Sequence, residues 1–77
     1  MQLVVQSVIL SKKIFTEKKA TEWILKNKYS IKGKRIKNYK IANFYRFRQR
    51  PPGRFKQDTF ITKKIRGGVE LIMGVLK

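Results

Sequence analysis

The chain has 77 residues and sets 20 Lys and Arg against 4 Asp and Glu, a net charge of +16. It contains neither Cys nor His, which excludes a disulfide framework, a zinc finger and any Cys/His metal cluster. A folded chain of this mass exposes roughly 4,900 Å², or about 300 Å² per excess positive charge, a surface that repels itself until something anionic binds.

The remaining composition points to a folded object. A hydrophobic fraction of 42% and an aromatic fraction of 12%, arranged in patterned runs, are foreign to a disordered basic tail. The apolar runs Leu3–Val5, Val8–Leu10 and Val69–Leu76 are far shorter than the roughly 20 residues that span a bilayer. Met1-Gln2-Leu3-Val4-Val5 lacks the basic start and small-residue cleavage site of a signal peptide. The expectation is one small basic domain over residues 1–77.

Leu3 to Leu10 is short and β-branched, which predicts a strand. Simple alternation puts Leu3, Val5, Ser7 and Ile9 on one side and Val4, Gln6, Val8 and Leu10 on the other. Both sets are mostly apolar, so the strand is expected inside a sheet or against a partner. Ser11-Lys12-Lys13 reads as a turn. Thr16 follows as a helix N-cap, with Glu17 in the first turn where a carboxylate suits the helix dipole. Ala20, Trp23, Ile24 and Asn27 repeat at helical spacing. An amphipathic helix from Thr16 to about Lys28 is therefore expected, anchored in the core by Trp23 and Ile24.

Residues 29–43 are irregular. Ile31, Ile36, Tyr39 and Ile41 show no clean period, and a loop followed by a weak strand over Arg35–Ile41 is expected. Asn43–Gln49 then alternates strictly. Tyr45, Phe47 and Gln49 share one face, and Phe44, Arg46, Arg48 and Arg50 the other. Pro51-Pro52-Gly53 ends that strand. Arg54–Asp58 reads as a loop and Thr59–Ile65 as a strand burying Phe60 and Ile65. Gly67-Gly68 marks a hairpin into the strand Val69–Leu76. The fold class is α+β: one amphipathic helix packed on a small, mostly antiparallel β-sheet, in the order β-α-β-β-β-β.

From Lys26 to Lys56 the sequence holds 12 basic residues and no acidic one. Arg46, Arg48 and Arg50 repeat every second residue, about 6.6–6.8 Å per step along a strand. Guanidinium is the better fork for phosphate oxygens. Phe44 opens this row, with Tyr39 and Phe55 near it in sequence, and exposed aromatics on a sheet can stack on unpaired bases. Lys32-Gly33-Lys34-Arg35 reads as a flexible cationic loop able to embrace a phosphate backbone. It is no Walker A loop, because the flanking pattern is missing. The nucleic-acid-binding candidates are Lys32, Lys34, Arg35, Lys37, Lys40, Arg46, Arg48, Arg50, Arg54, Lys56, Lys63 and Lys64. For Lys63 and Lys64, with Arg66 beside them, protection of an edge strand is an equal reading. Glu17, Glu22, Asp58 and Glu70 are the only carboxylates. Glu17 and Glu22 are five apart on a helix, so they form no clean pair, and each carboxylate more simply balances local positive charge. No catalytic residue, cofactor or metal is expected.

Asn43–Gln49, followed by Pro52, Phe55, Phe60–Ile65 and Gly68–Gly74, resembles a group of small basic proteins of large DNA viruses of algae and amoebae and of some tailed phages. Phe15-Thr16 and Thr21–Leu25 extend the resemblance over most of the chain. It implies a self-contained viral domain, with a place in the virion as one expectation. No activity comes with the resemblance, so no catalytic or binding residue is carried over.

The sequence thus points to a non-enzymatic, largely sequence-independent nucleic-acid-binding protein, with DNA ahead of RNA, located in the virion or in the host cytoplasm or nucleus. The alternative is a structural virion or assembly protein whose basic face meets an acidic viral protein, the terminal apolar strands Leu3–Leu10 and Val69–Leu76 extending a partner's sheet. A thin core invites a homo-oligomer, which self-repulsion at +16 opposes.

Overall fold

The computed structural model describes residues 2–77. Five strands, β1 (Leu3–Ser11), β2 (Lys40–Ile41), β3 (Phe44–Arg48), β4 (Ile61–Arg66) and β5 (Val69–Val75), form one sheet in the order β2-β3-β1-β5-β4. Every pairing is antiparallel. Among the described residues one α-helix, α1 (Glu17–Lys26), packs on one face. β1 is therefore the central strand, the place expected for it.

That strand does not keep simple alternation. Its register with β5 slips between Val5 and Ser7, so Gln6 is an extra residue, a β-bulge. The bulge turns Leu3 and Val5 to the same face as Val8 and Leu10. Ser7, Ile9 and Ser11 face the other way, opposite Arg48, Arg46 and Phe44 of β3. Gln6 and Ser7 are buried polar residues that satisfy each other: the Ser7 hydroxyl donates to Gln6 Oε1 at 2.8 Å. The Gln6 main-chain carbonyl accepts from the Gln49 and Arg50 amides at 2.7 and 3.3 Å, which stitches the bulge to the end of β3.

The helix is shorter than its periodicity implied. Thr16 is the N-cap, its Oγ1 accepting from the Lys19 amide at 3.2 Å, and Asn27 ends the helix at the C-cap. Lys28 follows at φ 64°, a left-handed conformation that turns the chain back toward the sheet. Ala20 and Ile24 are fully buried against Val8, Leu10, Phe15, Phe47, Val69 and Leu71. Full burial of side chains such as Leu10 and Phe47 contributes about 1.5–3 kcal/mol each. Trp23 is only half-buried. It borders this core and stacks on Tyr29, ring centroids 6.1 Å apart.

Three expectations need correction. In place of a strand over Arg35–Ile41, Lys32–Arg35 forms a 3-10 turn and only Lys40–Ile41 pairs with β3. Gly33 explains this: it is buried so closely on β3 that an added Cβ would lie 2.3 Å from the Arg48 amide nitrogen. A chain docked end-on in this way cannot run alongside as a strand. Ile65 is exposed at 41%, because α1 does not cover β4 and all six of its residues face solvent, and Phe60, just ahead of β4, is exposed at 42%. Phe55, by contrast, is buried, packed on Phe60 with centroids 5.3 Å apart, so it is no stacking platform.

The terminal strands also cannot extend a partner's sheet. β1 is paired with β3 and β5, and β5 with β1 and β4. The free edges belong to β2 and β4. The uncovered β4 helps bring the accessible surface to 5598 Å², still only about 350 Å² for each excess charge.

Candidate nucleic-acid interface

The sheet face away from α1 carries Phe44, Arg46 and Arg48 from β3, as their alternation required. The register continues across the sheet. Arg46 lies opposite Ile9, Ile9 opposite Glu70, and Glu70 opposite Lys64. The same face therefore holds three of the candidate cations, Arg46, Arg48 and Lys64.

These cations are not equivalent. Arg46 is half-buried, with Nε donating to Ser7 Oγ and Nη2 to Gln6 Oε1, both at 3.2 Å. The bulge thus orients the guanidinium while committing two of its five N–H donors. Arg50 lies just beyond β3 and donates from Nη1 to the Val5 carbonyl at 3.0 Å, while its own carbonyl accepts from Gln6 Nε2 at 2.9 Å. Arg48 is exposed, and its side chain makes no hydrogen bond among the described residues. It is the best placed of the three to take an external anion.

The Lys32–Arg35 segment is a built feature, contrary to the expected flexible loop. Gly33 rests on the β3 backbone. Gln49 fixes the approach to this turn by mimicking a backbone pair: its Nε2 donates to the Ser30 carbonyl at 2.9 Å and its Oε1 accepts from the Ser30 amide at 2.7 Å. Docked this way, Lys32 meets Arg48 and Arg50 around a recess of about 230 Å³, whose lining includes Gly33 and Pro51 and no carboxylate. A neighbouring notch, also about 230 Å³, brings Arg46 and Arg48 together with Gln6, Asn38 and Tyr39. Lys34 and Arg35 line a third hollow with Ile31 and Tyr39.

The other candidates are scattered. Lys37 is exposed beyond the 3-10 turn. Lys40 stands apart from the recess: it points to the helix side, where Nζ pairs with Glu17 Oε2 at 2.8 Å. That hydrogen bond holds the Glu17 carboxyl below its usual range and raises the Lys40 ammonium above its own. Lys63 is exposed on β4 opposite Leu71, on the helix side, apart from Lys64. Arg54 ends a second 3-10 turn, Pro52–Arg54, and its carbonyl accepts from the Lys77 amide, while the Lys56 amide donates to the Val75 carbonyl. Both residues are thereby held beside the C-terminal end of β5.

Two contributors escaped sequence reasoning. Gln6 is the hub of the bulge, and only the polar Gln6-Ser7 step within an apolar strand could have marked it. Lys13 lines a cavity on the open face with Phe44 and Lys64, a juxtaposition that only the fold creates. Glu70 and Asp58 do not converge: Glu70 lies opposite Ile9, whereas Asp58 sits in a turn at φ 62°, next to Thr59, whose Oγ1 accepts from the Val75 amide. No group of three or more potential metal ligands occurs among the described residues. No helix among them is long and apolar enough to cross a membrane.

No family model, curated protein or solved structure matches the chain.

Proposed function

We propose that this is a non-enzymatic nucleic-acid-binding protein that grips the phosphate backbone with little regard to base sequence. The carboxylate-free recess shared by Lys32, Arg48 and Arg50 carries the reading. Closely spaced cations are costly to assemble on a protein that already carries +16, and Gly33 and Gln49 hold them there. A bound phosphate relieves that repulsion. The surrounding Arg46, Lys34, Arg35 and Lys37 extend the cationic surface, so a chain of phosphates fits better than a single anion. A viral origin and packaging in the virion accord with the resemblance of Asn43–Gln49 and its flanking segments.

Fluorescence anisotropy with a labelled oligonucleotide across a salt series tests the reading. Contact with about six phosphates gives a log–log slope near −5 on duplex DNA and near −4 on a single strand. Arg48→Ala reduces that slope by about 0.7–0.9. Absence of binding at low salt, or binding indifferent to salt, rejects the proposal.

A second reading has one specific observation in its favour. β4 is a free edge with Ile61 and Ile65 exposed beside Lys63 and Lys64. An acidic strand from a viral structural protein could add there. Retention in particles stripped of their genome would favour this reading over the first.

A further inference from the structure

On the open sheet face, beyond Arg46, lies an apolar hollow of about 380 Å³ that the phosphate grip does not use. Ile9 floors it, and Phe44 and Ile14 stand at its sides, exposed at 39% and 55%. Gly68 makes the Ile14 wall: at φ +81° it lets the isoleucine lie so close that an added Cβ would be 2.9 Å from Ile14 Cδ1. Lys13 and Lys64 rim the hollow, and the Glu70 side chain enters its lining.

We infer that this hollow receives an unpaired nucleobase, so that the nucleic acid bound is single-stranded. The inference rests on the phosphate-binding reading above and specifies its ligand. The occupant must be apolar enough to cover Ile9 and Phe44, yet must bring anionic groups to Lys13 and Lys64. A hydrocarbon chain would cover the Glu70 carboxylate without offering it a hydrogen-bond donor. The amines of adenine, cytosine and guanine donate hydrogen bonds that a carboxylate accepts. A second copy of the chain would bring another +16 to the same rim. A base inside an intact duplex cannot reach Phe44, whereas a single strand turns its bases outward to stack on aromatic rings. The spacing also suits a continuous path: Phe44 and Arg48 are four residues apart on one face of β3, roughly 13 Å. A base on Phe44 therefore leads its flanking phosphates past Arg46 toward the Lys32–Arg48–Arg50 recess.

Three probes of equal length separate the terms: a mixed-sequence single strand, an abasic deoxyribose-phosphate chain and a duplex. Phe44→Leu keeps the apolar volume and removes the ring, and Phe44→Ala removes both. The thermal melt of each variant verifies folding. Phe44→Ala is expected to weaken single-strand binding about five- to 150-fold, the range spanned by aromatic–base stacking on alanine substitution, and Phe44→Leu to weaken it in the same direction by less. Binding of the abasic chain should change less than twofold. Equal losses on both probes, or no loss on either, overturn the stacking site while leaving phosphate binding intact. Failure of the unmodified protein to bind any of the three rejects the phosphate reading itself. Tighter binding of the duplex than of the single strand also overturns the inference, as does a salt-stable dimer abolished by Phe44→Leu, which would place a second copy in the hollow.

Discussion

Gly33→Ala is the sharpest test of how the cationic recess is built, because two effects predict opposite signs. Gly33 does not have a positive φ. In open space the alanine would stabilise the protein by about 0.4–1 kcal/mol, by restricting the unfolded chain. Here the new methyl would lie 2.3 Å from the Arg48 nitrogen, 2.8 Å from its carbonyl oxygen and 3.0 Å from the Phe47 carbonyl carbon. All three are backbone atoms of a paired strand, so no side-chain rotation relieves the contact. Overpacking of this kind costs about 1–3 kcal/mol. In a domain of this size each 1 kcal/mol shifts Tm by about 4–8 °C, so a 2 kcal/mol cost lowers it by about 8–16 °C. Thermal unfolding followed by Trp23 fluorescence measures the shift. Hydrogen exchange at the Lys34 and Ile36 amides, which bond to Ile31 and Gly33 carbonyls within this turn, should accelerate. A Tm equal to or above that of the unmodified protein would refute the docking of the 3-10 turn on β3.

Two further perturbations address the scaffold. Gln6→Leu removes the acceptor of Ser7 and Arg46 and the donor to the Arg50 carbonyl. Each buried group left unpaired costs about 1–3 kcal/mol, so the urea midpoint should fall with an unchanged m-value, and an unmoved midpoint would show that the bulge does not depend on the side chain. The Glu17 carboxyl is held below its usual range by its hydrogen bond to Lys40. The folded pKa is thus below the unfolded one, so its contribution is present at neutral pH and is lost as pH falls through the acid range. Glu17→Gln should be slightly less stable than the unmodified protein at pH 7 and indistinguishable from it near pH 2; a gap that persists in acid would assign it to packing instead.

The strands that alternate cleanly were legible because burial on one face imposes a period of two. Phe44–Arg48 is the clearest case, its face assignments following directly from residue order. α1 was readable through Thr16, Ala20 and Ile24, a cap followed by a core face. Leu3–Ser11 was recognisable as a central strand, but its side-chain directions were not, since a bulge is set by pairing on both sides and leaves only the polar Gln6-Ser7 step as its trace. The 3-10 turn was hidden for a related reason: Gly33 is needed for an approach to β3, a contact between segments fifteen residues apart. The strand Thr59–Ile65 was expected to bury Phe60 and Ile65 because they are large and apolar, yet burial requires a covering element, and α1 packs over β1, β3 and β5 instead. At the candidate interface, the type of residue was readable from composition. Which cations converge was not, because Lys32, Arg48 and Arg50 meet through that glycine contact and the Gln49–Ser30 pair, while Lys40 is paired with an acid far away in sequence.

The uncovered β4 makes the sheet mechanically uneven. β1 and its two neighbours share ladders on both sides and side chains beneath α1, whereas β4 hangs from β5 by one ladder, wetted above and below. Fluctuations should therefore peel the molecule from that margin inward. The hollow inherits this asymmetry: Phe44 belongs to the firm half and Lys64 to the yielding half, so one wall can breathe to admit a flat ring while the other keeps its aim.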